Sequence, residues 1–195
     1  MFTGIIEALA TVKEVIPNGS NKTFWMESTL SSQLKPDQSL SHNGVCLTVE
    51  EIKANLYKIT AIKETLSKTN LDKWEKGTIV NIERSLTLNS RLDGHFVQGH
   101  VDATGICISR IEKQGSWEFE FVFPEKFAEL VIEKGSVCVN GISLTAFNVK
   151  PSSFTVAIIP YTFEHTNIYA INTGDNVNLE FDIIGKYLAR KSLLK

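Results

Sequence analysis

Cysteine is sparse and unpaired in this sequence. Cys46, Cys107 and Cys138 form no CxxC pair, and an odd count fits reduced thiols better than a disulfide framework. The four histidines, His42, His95, His100 and His165, are scattered, with no HExxH pattern, so no metal site is read from the spacing. Charge of one sign is lacking too. A formal net charge of −2 over 195 residues leaves no basic field for nucleic acid. No apolar run approaches the roughly 20 residues of a membrane-spanning helix. The opening MFTGIIEALATVKEV has neither the basic region nor the small-residue cleavage site of a signal peptide, which makes the cytoplasm the expected compartment. A phosphate loop is also wanting: NGSNKTF has the Lys-Thr pair, but Asn21 stands where a glycine must precede it, and a surface turn is the better reading.

What the chain does contain is a repetition. The phrase NGVCLTV around Cys46 returns as NGISLTA around Ser143, at an offset of 97 positions between Asn43-Gly44 and Asn140-Gly141. The same offset pairs Thr65 with Thr162, Thr69-Asn70 with Thr166-Asn167, Gly77 with Gly174, Val80-Asn81 with Val177-Asn178, and Glu83 with Glu180. Nearer the start the offset is 95, where GIIEA (4–8) lies over GHVDA (99–103). Chance does not supply matches in this order.

Each half reads mainly as strands. GVCLTVEEI, LYKITAI, IVNIERSL, WEFEFVF, SVCVNGISLTAF, FTVAII and NVNLEFDI are short, rich in Val, Ile, Thr and Phe, and often alternate with period 2 between clusters of Asn, Gly, Asp and Pro. Helical patterns are few. PEKFAELVIEKG predicts a helix opening at Pro124 and stopping at Gly135, with Phe127, Leu130 and Val131 on one face. DIIGKYLARKSLLK predicts a terminal helix capped by Asp182, with an apolar stripe of Ile183, Ile184, Tyr187, Leu188 and Leu194. That stripe suits either partner helices or packing on its own chain. The fold class expected is mainly β: two tandem six-stranded Greek-key barrels related by the repeat, plus a C-terminal helix. The polar stretch TLNSRLDG places the junction, giving a first barrel over 1–90, a second over 91–182 and a helix over 183–195.

Alternation puts Cys46 and Thr48 on one strand face and Val45, Leu47 and Val49 on the other, with Ser143 and Thr145 as the counterpart pair. A lone strand cysteine usually fills a core. The hydroxyl-bearing partners at both repeats favour instead a surface that exchanges hydrogen bonds with a ligand. His95 and His100 each follow a glycine in GHFVQGHVDATG, where backbone amides can approach a ligand closely; the shared pattern leaves open which histidine acts. On local grounds Asp182 is a helix cap and Lys134 a helix-end cation.

The phrases MFTGIIE, NGVCLTV, KETLSKTNL, GHFVQGHVDATG, GSVCVNGISLT, IIPYTFEHTNI and VNLEFDIIGKYLAR occur in order over nearly the whole chain. Together they closely resemble the riboflavin synthase family of the alpha-subunit type. The resemblance implies two tandem barrels with a C-terminal helix, a homotrimer, and a dismutation. In it two molecules of 6,7-dimethyl-8-ribityllumazine exchange a four-carbon unit, giving riboflavin and 5-amino-6-ribitylamino-pyrimidinedione, with no metal or redox cofactor. Association with lumazine synthase is a further implied partner. A reaction between two copies of one substrate suits two similar pockets brought face to face.

Carried over by motif, the resemblance implies a first pocket of Gly4, Ile5, Ile6, Cys46, Leu47, Thr48 and the run Thr60, Ala61, Ile62, Lys63, Glu64, Thr65. A second pocket takes Gly99, His100, Val101, Ser143, Leu144, Thr145 and the run Ile159, Pro160, Tyr161, Thr162, Phe163, Glu164, with Lys134 reaching across from a neighbouring subunit. Cys46, His100, Ser143 and Asp182 match positions implicated in catalysis. Asn140 stands where many members have Asp, and Tyr161 where many have His or Glu. Non-catalytic antenna relatives, the lumazine proteins, keep the same barrels and tend to lose part of the catalytic set, which is complete here. An unrelated flavin-binding barrel without turnover is the third reading.

Overall fold

The computed structural model describes residues 1–194. The first half is built of β1 (Ala8–Asn18), β2 (Asn21–Ser28), β3 (Ser39–His42), β4 (Val45–Thr48), β5 (Glu51–Lys53), β6 (Leu56–Ala61) and β7 (Ile79–Arg84), with the short helix α1 (Lys63–Lys68) after β6. The second half is built of β8 (Ala103–Lys113), β9 (Ser116–Val122), β10 (Ser136–Val139), β11 (Ile142–Lys150), β12 (Ser153–Ile158) and β13 (Asn176–Phe181), with α2 (Pro160–His165) after β12 and α3 (Ile183–Ser192) at the end.

The second half is a closed six-stranded barrel in the order β10-β11-β12-β9-β8-β13, with β13 returning to pair with β10. The first half runs β4-β3-β7-β1-β2-β6-β5, the same circuit with β11's equivalent divided in two. The break falls at Val49–Glu50. The Val49 amide still donates back to Gln38 on the β3 side, while the Glu50 amide donates to Lys58 of β6. One continuous segment therefore closes the barrel by changing partner, so GVCLTVEEI is two strands rather than one.

The alternation read from sequence is realised. In β4, Val45 and Leu47 are buried, Cys46 is half-buried and Thr48 exposed. Each barrel has its own core: one gathers Val12, Phe24, Met26, Tyr57, Ile59 and Ile82, the other Phe119, Phe121, Phe154, Val156, Leu179 and Phe181. Burying a side chain of this size stabilises by about 1.5–3 kcal/mol. Both Asn-Gly hairpins have positive φ at both central residues (Asn43 46°, Gly44 78°; Asn140 46°, Gly141 82°), the geometry of a two-residue turn matched to strand twist.

One predicted element differs. Glu125–Leu130 forms a 3₁₀ turn with Pro124 just before it, not an α-helix running to Gly135. Val131 takes an extended backbone (φ −117°, ψ 119°) that buries its side chain and ends the helical run, and Lys134 takes φ 62° to turn the chain into β10. The terminal helix forms, with Asp182 accepting the Ile184 amide at 2.9 Å, but it ends at Ser192, so Leu194 of the expected stripe lies beyond it in a turn. The end of the expected 183–195 helix, Lys195, lies outside the described residues. Ile184, Tyr187 and Leu188 of α3 are exposed. No described helix is long and apolar enough to cross a membrane.

Candidate functional site

A pseudo-twofold relation joins the halves. The backbones of Gly44 and Gly141 cross closely: a Cβ on either would lie within 2.9 Å of the other's amide nitrogen. Around that crossing, segment 1–6 and segment 94–101 pair through reciprocal hydrogen bonds between Phe2 and Val97 (2.7 and 3.1 Å). Each segment then continues into the opposite half. The Ser143 amide donates to the Gly4 carbonyl, and the Cys46 amide donates to the Gly99 carbonyl, both at 2.8 Å.

This exchanges the grouping expected from chain order. Gly4, Ile5 and Ile6 sit with Ser143 of the second barrel, and Ile6 packs on that barrel's core. Gly99, His100 and Val101 sit with Cys46 of the first, and Val101 packs on the first core. The repeat could not show this, because an offset relates residues within a pattern but does not say which barrel a connecting segment joins. The result is two matched shelves.

On the first shelf, Cys46 lies across from Ser41 in β3, and a hollow of about 260 Å³ is bounded by Cys46, Thr65, Thr69, Gly99, His100 and Val101. Of the expected run, Thr60 hydrogen-bonds Thr23 at 2.9 Å and Ala61 is buried in the core, so only its backbone can face a ligand. Ile62 is exposed, Lys63 opens α1, Glu64 pairs with Lys68 at 2.7 Å, and the Thr65 carbonyl accepts the Thr69 hydroxyl. Leu47 points into the core and Thr48 outward.

On the second shelf, Ser143 lies across from Cys138 in β10, the same Ser–Cys pair in reverse. Leu144 is half-buried and Thr145 exposed. Ile159 is exposed and Pro160 occupies the first turn of α2. Tyr161 stacks on His165 with centroids 4.1 Å apart, which gives the unexpected tyrosine a local partner. The Thr162 carbonyl accepts the Thr166 hydroxyl, Phe163 is held flat against Trp117 at 3.7 Å, and Glu164 is exposed. Lys134 is exposed, its ammonium 5.3 Å from the Phe147 ring centre.

His95 is the residue whose part the sequence left open. Its Nδ1 lies 2.7 Å from Ser143 Oγ, and its amide donates to the Thr3 carbonyl. Burial pushes its pKa below the ordinary value, while the nearby Asp182 carboxylate acts the other way. A neutral imidazole bonded to a shelf hydroxyl can take or return that hydroxyl's proton. Asp182 thus has two connections, the cap of α3 and the field at His95. His95 has no counterpart in the first half, because the offset of 95 would place it before Met1; the repeat therefore gave no signal for it. His100, by contrast, is exposed at the rim of the first shelf.

The 260 Å³ hollow is smaller than the roughly 300–1,000 Å³ that encloses a drug-sized ligand.

A duplicated barrel that places Cys46 with His100 on one surface and Ser143 with His95 on the equivalent one defines a tandem-barrel protein with a repeated candidate site. The family model for the lumazine binding domain matches twice, over residues 3–85 and 98–182. The chain is 36% identical to riboflavin synthase of Actinobacillus pleuropneumoniae, over 100% of this chain and 91% of that one. It is 38% identical to riboflavin synthase of Mycobacterium tuberculosis (strain ATCC 25618 / H37Rv), over 97% of each. It belongs to the riboflavin synthase family, whose repeated unit is the lumazine binding domain. Among solved structures, LumP complexed with riboflavin has the same fold, with a TM-score of 0.87 at 18% identity over 93% of this chain and 99% of that one. LumP complexed with 6,7-dimethyl-8-(1'-D-ribityl) lumazine gives a TM-score of 0.85 at 17% identity, with the same coverage.

Proposed function

We propose that this protein is a riboflavin synthase, converting two molecules of 6,7-dimethyl-8-ribityllumazine into riboflavin and 5-amino-6-ribitylamino-pyrimidinedione. The observation that carries this is the pair of matched shelves on a chain related over its full length to riboflavin synthases. The two products together hold every atom of two substrate molecules, so the reaction needs no oxidant or co-reactant. It needs two identical heterocycles held against each other, a proton removed from the C7-methyl group of one, and an electrophilic C7 on the other. Holding them in place replaces a rare bimolecular encounter with an effectively intramolecular one.

In this reading the first shelf holds one lumazine through Cys46, Leu47, Thr48, residues 60–65 and Gly99 to Val101. The second holds the other through Gly4 to Ile6, Ser143 to Thr145 and residues 159–164. Cys46 and Ser143 act at or beside the rings. His100 handles protons at the first shelf; at the second, Ser143 works with His95, whose 2.7 Å hydrogen bond supports that pairing. Asp182 holds the charge balance of His95. Two half-sites meet when the first barrel of one subunit faces the second barrel of its neighbour, with Lys134 reaching across. A homotrimer held by the exposed apolar residues of α3 supplies that arrangement. The functional units are 1–90, 91–182 and the oligomerisation helix 183–195, the working compartment is the cytoplasm, and lumazine synthase is the partner that would deliver substrate.

The test is direct. Purified protein incubated with 6,7-dimethyl-8-ribityllumazine alone should generate riboflavin, followed by its absorbance and fluorescence. Tight binding without riboflavin formation would make it an antenna-type binder and sink the synthase reading.

A further inference from the structure

Two buried carboxylates stand outside the mechanism above. Glu83, near the end of β7, is 4% exposed, and Glu180, near the end of β13, is 1% exposed. Among the described residues neither forms an ion pair. Instead each is filled by main-chain amides of the segment that crosses to the other half. Glu83 Oε1 accepts the Thr3 amide and the Thr3 hydroxyl, both at 2.6 Å, and its Oε2 accepts the Gly4 amide at 2.9 Å. Glu180 Oε1 accepts the Gln98 amide at 2.6 Å, and its Oε2 accepts the amides of Gly99 at 2.9 Å and His100 at 2.8 Å. With donors on both oxygens, these sites are built for the anion, since a proton on either oxygen would face an N–H. Burial raises both pKa values, and the amides oppose it.

The clamped residues are the ones that meet the shelves. Gly4 passes its carbonyl to the Ser143 amide and Gly99 passes its carbonyl to the Cys46 amide. Both glycines have positive φ, 78° and 81°, and a Cβ on either would fall 2.6 Å from the Cβ of Ser143 or Cys46. There is no slack between carboxylate and shelf. The linkage is crossed: Glu180, in the second barrel, holds Gly99 and His100 against Cys46 of the first, while Glu83, in the first, holds Gly4 against Ser143 of the second. A second pin repeats the pattern. Asp102 Oδ2 accepts the Phe181 amide at 2.9 Å and pairs with Lys186 of α3 at 2.6 Å; at the equivalent place Glu7 accepts the Arg84 amide at 2.8 Å and pairs with its guanidinium.

We propose that Glu83 and Glu180 are positioning residues acting crosswise, each setting the ligand shelf of the barrel it does not belong to. The proposal rests on the reading that the two shelves bind lumazines and flavin. It predicts a result that a merely structural role does not: the half that loses binding is the half without the substitution.

The experiment uses the full-length protein with isotope-labelled Ile, Leu and Val methyl groups, titrated with riboflavin. Leu47 and Val101 report the first shelf, Ile6 and Leu144 the second. Glu180→Gln replaces an oxygen that takes two amides with a group that can oppose them. It should weaken riboflavin at the Leu47/Val101 shelf by about ten-fold or more, the effect of losing one or two charged hydrogen bonds, and leave the Ile6/Leu144 shelf within about two-fold. Glu83→Gln should do the reverse. Glu180→Asp and Glu83→Asp keep the charge but withdraw it by one methylene, and they are judged by the same criterion where a Gln variant fails to fold. Equal loss at both shelves, loss confined to the substituted half, or no loss overturns the crossed clamp. Wild-type methyls that do not respond to riboflavin at all overturn the shelf reading, and the clamp with it.

Discussion

At the scale of single residues, the two shelves differ mainly at Cys46 and Ser143. Across the strands Ser41 faces Cys46 and Cys138 faces Ser143, but Ser41 and Cys138 are both buried, so the group each shelf offers is Cys46 on one and Ser143 on the other. Only Ser143 has an imidazole bonded to it. The shelves are therefore not chemically equal, and Cys46 is the group whose removal reports on the first. Cys46→Ala should lower kcat by about 10²-fold, with Cys46→Ser falling between it and wild type, as for a group that acts at the reacting atoms. Full turnover in both would remove Cys46 from the chemistry. Gly99 gives a steric test of the same place. Gly99→Ala must hold a positive φ and drive a Cβ to 2.6 Å from Cys46 Cβ, whereas Gly77→Ala has φ 97° with open space around it. Gly77→Ala should cost only the backbone strain, about 1–3 kcal/mol. Gly99→Ala should cost more in thermal unfolding and also weaken riboflavin binding; equal melting losses for the two would contradict the close approach.

At the scale of elements, most strands were legible because period-2 alternation is a local property, and β4, β7, β12 and β13 lie where Val, Ile and Phe alternate. The Pro124 segment misled because its apolar spacing, with Phe127, Leu130 and Val131 facing inward, serves a 3₁₀ turn as well as an α-helix. The barrels also differ inside in a way no repeat search displays. Where the second barrel has Val139 and Phe154, the first has His42 and Tyr57, both fully buried. The Leu40 carbonyl can only accept, so His42 Nδ1 donates to it at 3.0 Å, and the neutral ring's Nε2 accepts the Tyr57 hydroxyl at 3.0 Å. Burial lowers the His42 pKa from 6.5 to about 3. In the unfolded chain this histidine protonates near its ordinary value, so between pH 6.5 and 3 the unfolded state binds more protons. The stability of the first barrel is complete above pH 6.5 and falls by about 1.4 kcal/mol per pH unit through that window. His42→Val/Tyr57→Phe copies the second barrel's pair and should flatten the urea-unfolding midpoint between pH 6.5 and 4.5. An unchanged slope would place the acid sensitivity elsewhere.

At the scale of the whole molecule, the fold class and the candidate residues could be read from the repeat and the ordered phrases, but the exchange of segments between halves could not. It depends on the pairing of Phe2 with Val97, which only the assembled barrels bring about. Beside the apolar contacts of Phe2, Val97 and Cys138, a polar network joins the halves. Six asparagines, Asn43, Asn70 and Asn81 with Asn140, Asn167 and Asn178, form a network repeated about the pseudo-twofold relation. Asn81 donates to the Asn140 carbonyl at 2.9 Å and to Asn167 Oδ1 at 2.8 Å, and its Oδ1 accepts the Asn167 amide at 2.7 Å. Asn178 repeats all three with Asn43 and Asn70, at 2.9, 3.0 and 2.7 Å. No buried side-chain nitrogen or oxygen among the described residues lacks a partner. In the sequence these asparagines stood out only as matched pairs of the repeat, since a network between sequence-distant residues leaves no local pattern. Asn81→Ala strips three buried groups of a partner, each costing about 1–3 kcal/mol. The symmetry then makes a specific demand: Asn178→Ala should destabilise by a similar amount, and the double variant should unfold in two steps, one per barrel, when followed by Trp fluorescence and far-UV circular dichroism together. A loss below about 1 kcal/mol in either single variant, less than one unsatisfied buried group should cost, or a single coincident transition in the double variant, would mean that the cores and not the asparagines hold the halves together.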